Sequence, residues 1–240
     1  SSGLQSGSLR ALAAPVCAVL LPWLAGALFA MNTFGDEGAV LPMTLTAVSG
    51  RQYVRGLVLP GLVLGFPTAL AVTGIAGVFS PYTVAEWVGL VGLSAFLTCI
   101  SVAITPAVGM ALPRFGAISV GQSREVLPPR MTAAVLHMAL VMVPGGLLAM
   151  LVLAPRIARA VLAGLFGSLP AVVLTLLADS GSGMFSAVAT WFGQVGRAIR
   201  AVGVGDLRIV VGGAVSLGGV LVVGLLYRNA VHRFDRYSPS

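Results

Sequence analysis

Long apolar stretches alternate with short polar ones along the whole chain. Residues 11–35, 56–85, 87–113, 131–155, 160–178 and 209–227 hold no charged side chain. A bilayer core about 30 Å thick needs roughly 20 apolar residues at 1.5 Å per residue. Each stretch is long enough or nearly so, and the charges fall between them. A charge at the centre of a span costs about 2.5–3.5 kcal/mol on insertion scales. The pattern therefore predicts an all-α, polytopic transmembrane helix bundle. It has about six spans plus short interfacial helices, read as one transmembrane domain over residues 1–240. The spans are expected near 11–31, 56–80, 87–112, 131–153 and 209–227, with 160–178 as a further apolar stretch. Residues 184–201 show a helical stripe of Phe185, Val188, Trp191, Phe192 and Val195, with Arg197 and Arg200 at its end. That stripe suits a helix lying in the membrane interface.

Composition narrows the picture. Of the 240 residues, 58% are hydrophobic and only 9% charged, and the mean hydropathy is +1.01. A soluble domain carries roughly a quarter charged residues. A water-soluble helical bundle needs polar outer faces, and these stretches are apolar all round. All 14 basic residues are arginine. A Walker A loop and Schiff-base catalysis both need a lysine, so neither belongs to this chain. The net charge of +7 fits anionic lipid headgroups better than nucleic acid. The chain begins at Ser1 rather than Met, as a processed chain or a fragment would.

The polar connectors set the expected orientation. With residues 32–55 and 113–130 on the cytoplasmic side, Arg51, Arg55, Arg114, Arg124 and Arg130 lie inside, and the arginine-free turn at 81–86 lies outside. This follows the positive-inside rule. Six spans put Arg228, Arg233 and Arg236 of the tail outside; five or seven put them inside. Either 160–178 does not cross, or 184–201 does.

Catalytic chemistry finds little footing. There is no HExxH motif, no aspartyl pair and no serine in a nucleophile context. Cys17 and Cys99 fall within spans and read as small buried residues. With only His137 and His232 beside them, no metal site is expected. His137 is a polar residue in hydrocarbon. It is either functional or the donor of an interhelical hydrogen bond. Gly61 and Gly65 have the GxxxG spacing that lets helices approach closely.

The first connector reads NTFGDEGAVLPMTLTAVSGRQYVRG. It resembles a segment of type-2 permeases of ATP-binding-cassette (ABC) exporters. The resemblance rests on Phe34, Gly35, Asp36, Glu37 and Gly38, the apolar run 41–45, and Ser49 with Arg51. The family's proline near Ser49 and lysine near Arg55 are missing. The second connector is similar in Arg114 and Phe115 leaving one span and Pro128 and Pro129 entering the next, with Arg124 and Glu125 between. The ending, Tyr227-Arg228 and Arg233-Phe234-Asp235-Arg236-Tyr237, looks like the family's cytoplasmic end. The likeness is to the C-terminal half of a large permease.

The resemblance implies a plasma-membrane exporter subunit that is not itself an enzyme and binds no cofactor. ATP would sit on a separate cytoplasmic ATPase, and the other partners would be a second permease half or an identical copy. Residues 32–55 would be the coupling segment, with Asp36 and Glu37 meeting arginines of the ATPase. On that view both acids are exposed, lack internal arginine partners, and can be reversed without loss of fold. The alternatives are that they cap a surface helix, and that the chain is a membrane scaffold or assembly factor without transport.

Overall fold

The computed structural model describes residues 2–116, 118–120, 124–126, 128–178 and 183–237. The fold is an all-α bundle of the polytopic transmembrane kind, and six of its helices are long and apolar enough to cross a bilayer. In chain order these are α1 (Ser2–Ala30), the short α2 (Thr33–Glu37) and α3 (Leu41–Ala47), α4 (Gly50–Val78), and α5 (Val84–Ala111). Then come α6 (Met131–Leu153), α7 (Pro155–Ala178), α8 (Gly183–Ala201) and α9 (Val204–Asp235). Between α5 and α6, the short strands β1 (Ile118–Val120) and β2 (Arg124–Val126) pair antiparallel, Ser119 opposite Glu125. The helices group into two compact units where the sequence reads as one domain. One holds Ser1–Ala149 and Leu217–Ser240, the other Met150–Ser216.

Helix limits follow local chemistry. α5 begins with a reciprocal capping box: Glu86 N–H donates to Thr83 Oγ1 at 3.3 Å, and Thr83 N–H donates to Glu86 Oε2 at 2.9 Å. Two of the orphan amides of a helix start are thereby satisfied. Glu86 and Trp87 thus stand inside the first turn of α5 rather than in a loop before it. The second long helix likewise starts at Gly50, not at Gly56, so Arg51 and Arg55 are exposed residues of its first turns. The signal was present in Ser49-x-x-Gln52: the Ser49 N–H donates to Gln52 Oε1 at 3.0 Å.

Two of the long helices carry the same irregularity. α4 loosens into π-helix over Gly61–Gly65, and α7 does so over Gly164–Ser168. In each case a proline, Pro67 or Pro170, stands two residues beyond. A proline supplies no N–H to the carbonyl four residues back and clashes with it, and a π-bulge absorbs the mismatch. The glycines of the first bulge do more. Side chains at Gly61 and Gly65 would collide with Val102 and Ala25 respectively, so the GxxxG pair seats α4 against both α5 and α1.

In the first unit, α1, α4 and α5 pack together. α5 presents a column of fully buried hydroxyls, Ser94, Thr98, Ser101 and Thr105, spaced so that they share one helix face. Thr73 of α4 donates to Ser94 Oγ at 3.3 Å. Gly26 of α1 lies against Ser101 and Thr105. Trp87 donates from Nε1 to the Gly74 carbonyl at 3.0 Å and fills the space beside Gly77.

In the second unit, α8 is not a separate surface helix. It runs antiparallel along the length of α7. Gly167 and Gly196 meet backbone to backbone, and Arg159 donates to the Val202 carbonyl at 2.9 Å. The contact uses small residues, with Ala189 and Gly196 buried, while Trp191 stays 57% exposed and rests edge-on against Phe192. Phe185, Phe192 and Val195 of the stripe are half-buried and Val188 is exposed with Trp191, while glycine and alanine allow the close approach. Arg208, near the start of α9, donates to the carbonyls of Leu151 and Val152 at 2.8 and 2.9 Å, at the end of α6. The two ends of the α7–α8 hairpin thus lie together. A segment whose ends lie together crosses a bilayer an even number of times.

Candidate functional site

The polar residues of the first unit converge at one end of the bundle, where the two connectors and the end of α9 meet. Asn32 is the hinge. It is 2% exposed. Its amide donates to the Arg114 carbonyl at 3.2 Å and to Asp36 Oδ1 at 3.3 Å, and its Oδ1 accepts the Arg114 N–H at 2.9 Å. One buried amide thus ties the first connector to the second across 82 residues of sequence. A buried amide is stable only when its donors and acceptor are satisfied, and Arg114 supplies both backbone groups. Gly35 completes the joint, since any side chain there would strike the Arg114 carbonyl.

The end of α9 closes the same corner. Phe34 is 1% exposed and lies with its ring centroid 4.4 Å from Tyr237 and 6.5 Å from Phe234. Tyr53 stacks on Phe234 at 4.2 Å. Gly50 donates its N–H to Asp235 Oδ1 at 2.8 Å, a charge-assisted bond at a helix N-terminus. The basic tail therefore shares its end of the bundle with both connectors.

The six residues singled out in the first connector divide into two groups. Phe34 and Gly35 are buried packing residues. Glu37 is half-buried and accepts from Tyr53 Oη and from Thr44 Oγ1, both at 3.0 Å. It braces α2 against α3 and α4. Asp36, Gly38 and Arg51 are exposed. Gly38 turns the chain between α2 and α3 with φ of +51°, a conformation that favours glycine. No arginine side chain engages either acid among the described residues, but Glu37 is not free: reversing it would break two internal hydrogen bonds. The expectation that both acids are exposed does not hold for Glu37, because the chain folds a tyrosine and a threonine onto its carboxylate.

Beyond this corner α3 turns outward. Val40 and Met43 are 50% and 68% exposed, and Pro42, Thr46 and Ala47 are exposed with them. In the second connector Phe115 is 56% exposed, Arg114 is half-buried, and its Nε donates to the Gly116 carbonyl at 3.1 Å. Pro128 and Pro129 are half-buried at the entry to α6. Arg124 and Glu125 lie in β2; their side chains lie outside the described residues.

His137 lies apart from this corner, deep in α6 and fully buried. Its Nε2 is 2.8 Å from Thr105 Oγ1, 3.3 Å from Ser101 Oγ and 3.2 Å from the Ser101 carbonyl. Nδ1 has no partner. The geometry is that of an interhelical clasp onto the α5 hydroxyl column. The sequence reading singled out His137 but missed that column, whose members recur at helical spacing. Among the described residues no three His, Cys, Asp or Glu side chains gather as a metal site would require. No family model, curated protein or solved structure matches the chain.

Proposed function

We propose that this chain is the membrane subunit of an ATP-driven exporter, coupled to a separate ATP-binding-cassette ATPase through residues 32–55. The observation that carries the reading is α3. It is a short helix seated on the corner through Leu41 and Leu45, with Val40 and Met43 exposed and Asp36 and Arg51 exposed in the same connector. Behind it stands a rigid corner made of Asn32, Phe34, Glu37 and Tyr53. An exposed apolar patch rimmed by charge marks an interaction surface, and a rigid mount lets motion of a bound partner reach the long helices. The neighbouring second connector and tail enlarge the same face, which is cytoplasmic on this reading. A second permease half or an identical copy, beside lipid, would cover α9, whose most apolar window has none of its residues buried.

The test is co-expression with a candidate ABC ATPase from the same genome, followed by affinity capture from detergent. The wild-type chain should retain the ATPase. Asp36→Arg and Met43→Arg should each release it, since like charges or a desolvated arginine at an interface cost several kcal/mol. Retention by both variants, or no capture by the wild type, would remove the coupling reading and favour a scaffold.

A further inference from the structure

A cavity of about 620 Å³ opens at the connector end of the first unit. Its walls have two characters. Phe34, Met110 and Ala111 form an apolar floor, while Arg233 and Arg236 of α9 form a cationic wall, with His232 and Tyr237 beside them. Arg233 is oriented by its Nε bond to Asn229 Oδ1 at 2.6 Å, which leaves the terminal nitrogens of the guanidinium unused. Among the described residues no carboxylate lines the cavity. The nearest acid in sequence, Asp235, is engaged by the Gly50 N–H. Among the described residues no acid side chain shares the cavity with Arg233 and Arg236, which face a concave surface. Neutralising the C-terminal dipole of α9 accounts for basic residues there, but not for an apolar floor opposite them.

We infer that this cavity binds the phosphate headgroup of an anionic membrane lipid. Arginine presents a planar fork that pairs bidentately with phosphate oxygens. The apolar floor suits the glycerol and first acyl carbons of the same molecule. The position is also right. The cavity lies at the end of α9, whose Leu217, Leu221 and Leu225 are exposed as lipid-facing residues would be. The volume lies within the roughly 300–1,000 Å³ typical of small-molecule sites, and a free phosphate ion would leave most of it empty. The site does not depend on any ATPase partner.

The experiment is native mass spectrometry of the full chain in dodecyl maltoside. Dioctanoyl phosphatidylglycerol, dioctanoyl phosphatidylcholine and inorganic phosphate are titrated separately. The wild type should bind one phosphatidylglycerol saturably, at least about tenfold more tightly than phosphatidylcholine, a difference of about 1.4 kcal/mol. Arg233→Gln with Arg236→Gln should lose that preference, whereas Arg228→Gln, on the same helix outside the cavity, should keep it. Ala111→Trp, which fills the floor without altering charge, should also abolish binding. The two variants test the site independently, should one of them fail to fold. Unchanged phosphatidylglycerol affinity in either folded variant would overturn the inference, as would equal binding of phosphatidylcholine. Inorganic phosphate saturating the site with equal affinity would replace the lipid with a small oxyanion.

Discussion

At the scale of single residues, neighbouring acids of similar appearance have different roles. Asp36 is exposed and accepts from the Asn32 amide, whereas Glu37 holds both Tyr53 and Thr44. Hydrogen bonds to a charged group contribute about 1.5–3 kcal/mol. Glu37→Arg should therefore destabilise the detergent-solubilised chain by about that amount, and Asp36→Arg by less than about 0.5 kcal/mol, as surface changes usually do. Thermal melts would show it, and equal losses would contradict the assignment. His137 belongs to the same scale. His137→Ala removes the partner of Thr105 and Ser101 and leaves a hole in a buried contact. Polar contacts in membrane proteins average about 0.6 kcal/mol, and the cavity adds to this. A loss of about 1–3 kcal/mol is expected in mixed-micelle unfolding, with His137→Gln intermediate. A neutral His137→Ala would mean that the clasp contributes nothing.

At the scale of elements, close backbone approach decides which helices pair. Gly167 and Gly196 touch, while Gly213 on α9 faces open space. Gly167→Val should separate α8 from α7, and Gly213→Val should not. Amide exchange across α8 should accelerate by about tenfold or more in the first variant, corresponding to about 1.4 kcal/mol. Unchanged exchange would show that α8 is held by something other than this contact. The same reasoning explains why the pairing of α8 with α7 was not legible in the sequence. Its aromatic stripe is the conspicuous feature in the sequence, yet the packing face is Ala189 and Gly196, residues with almost no hydrophobic signal.

At the scale of the whole molecule, the question is which ends share a side of the membrane. The tail meets the first connector at Phe34, Tyr53 and Gly50, and Asn32 ties that connector to the second. The hairpin returns to its starting point through Arg159 and Arg208. Both observations put residue 237 on the side of residues 32–55, as the arginines of the tail require. Cysteine scanning in a chain lacking Cys17 and Cys99 checks this. Single cysteines at Thr46 and Arg236 should react with impermeant maleimide from one side of sealed vesicles, and one at Pro81 from the other. Reaction of Thr46→Cys and Arg236→Cys from opposite sides would refute the arrangement. A cysteine at Gly183 then decides the hairpin. Labelling from the Thr46 side means that it crosses twice; labelling from the Pro81 side means that it does not cross.

The sequence by itself determined the membrane class and the bodies of the long helices. In hydrocarbon every backbone group must be satisfied within its own helix, so an unbroken apolar run of sufficient length leaves little other choice. Local chemistry also wrote some helix limits legibly, as at Ser49-x-x-Gln52 and Thr83-x-x-Glu86. What only the tertiary structure decided is which polar residues meet. Asn32 with Arg114, His137 with Thr105 and Gly50 with Asp235 are joined across 82, 32 and 185 residues. No periodicity encodes such pairings. Each depends on how one helix is rotated against another, and in a bilayer that rotation is set by the fit of small residues and buried hydroxyls. Burial then divided Asp36 from Glu37, because exposure is a property of the packed surface and not of the residue.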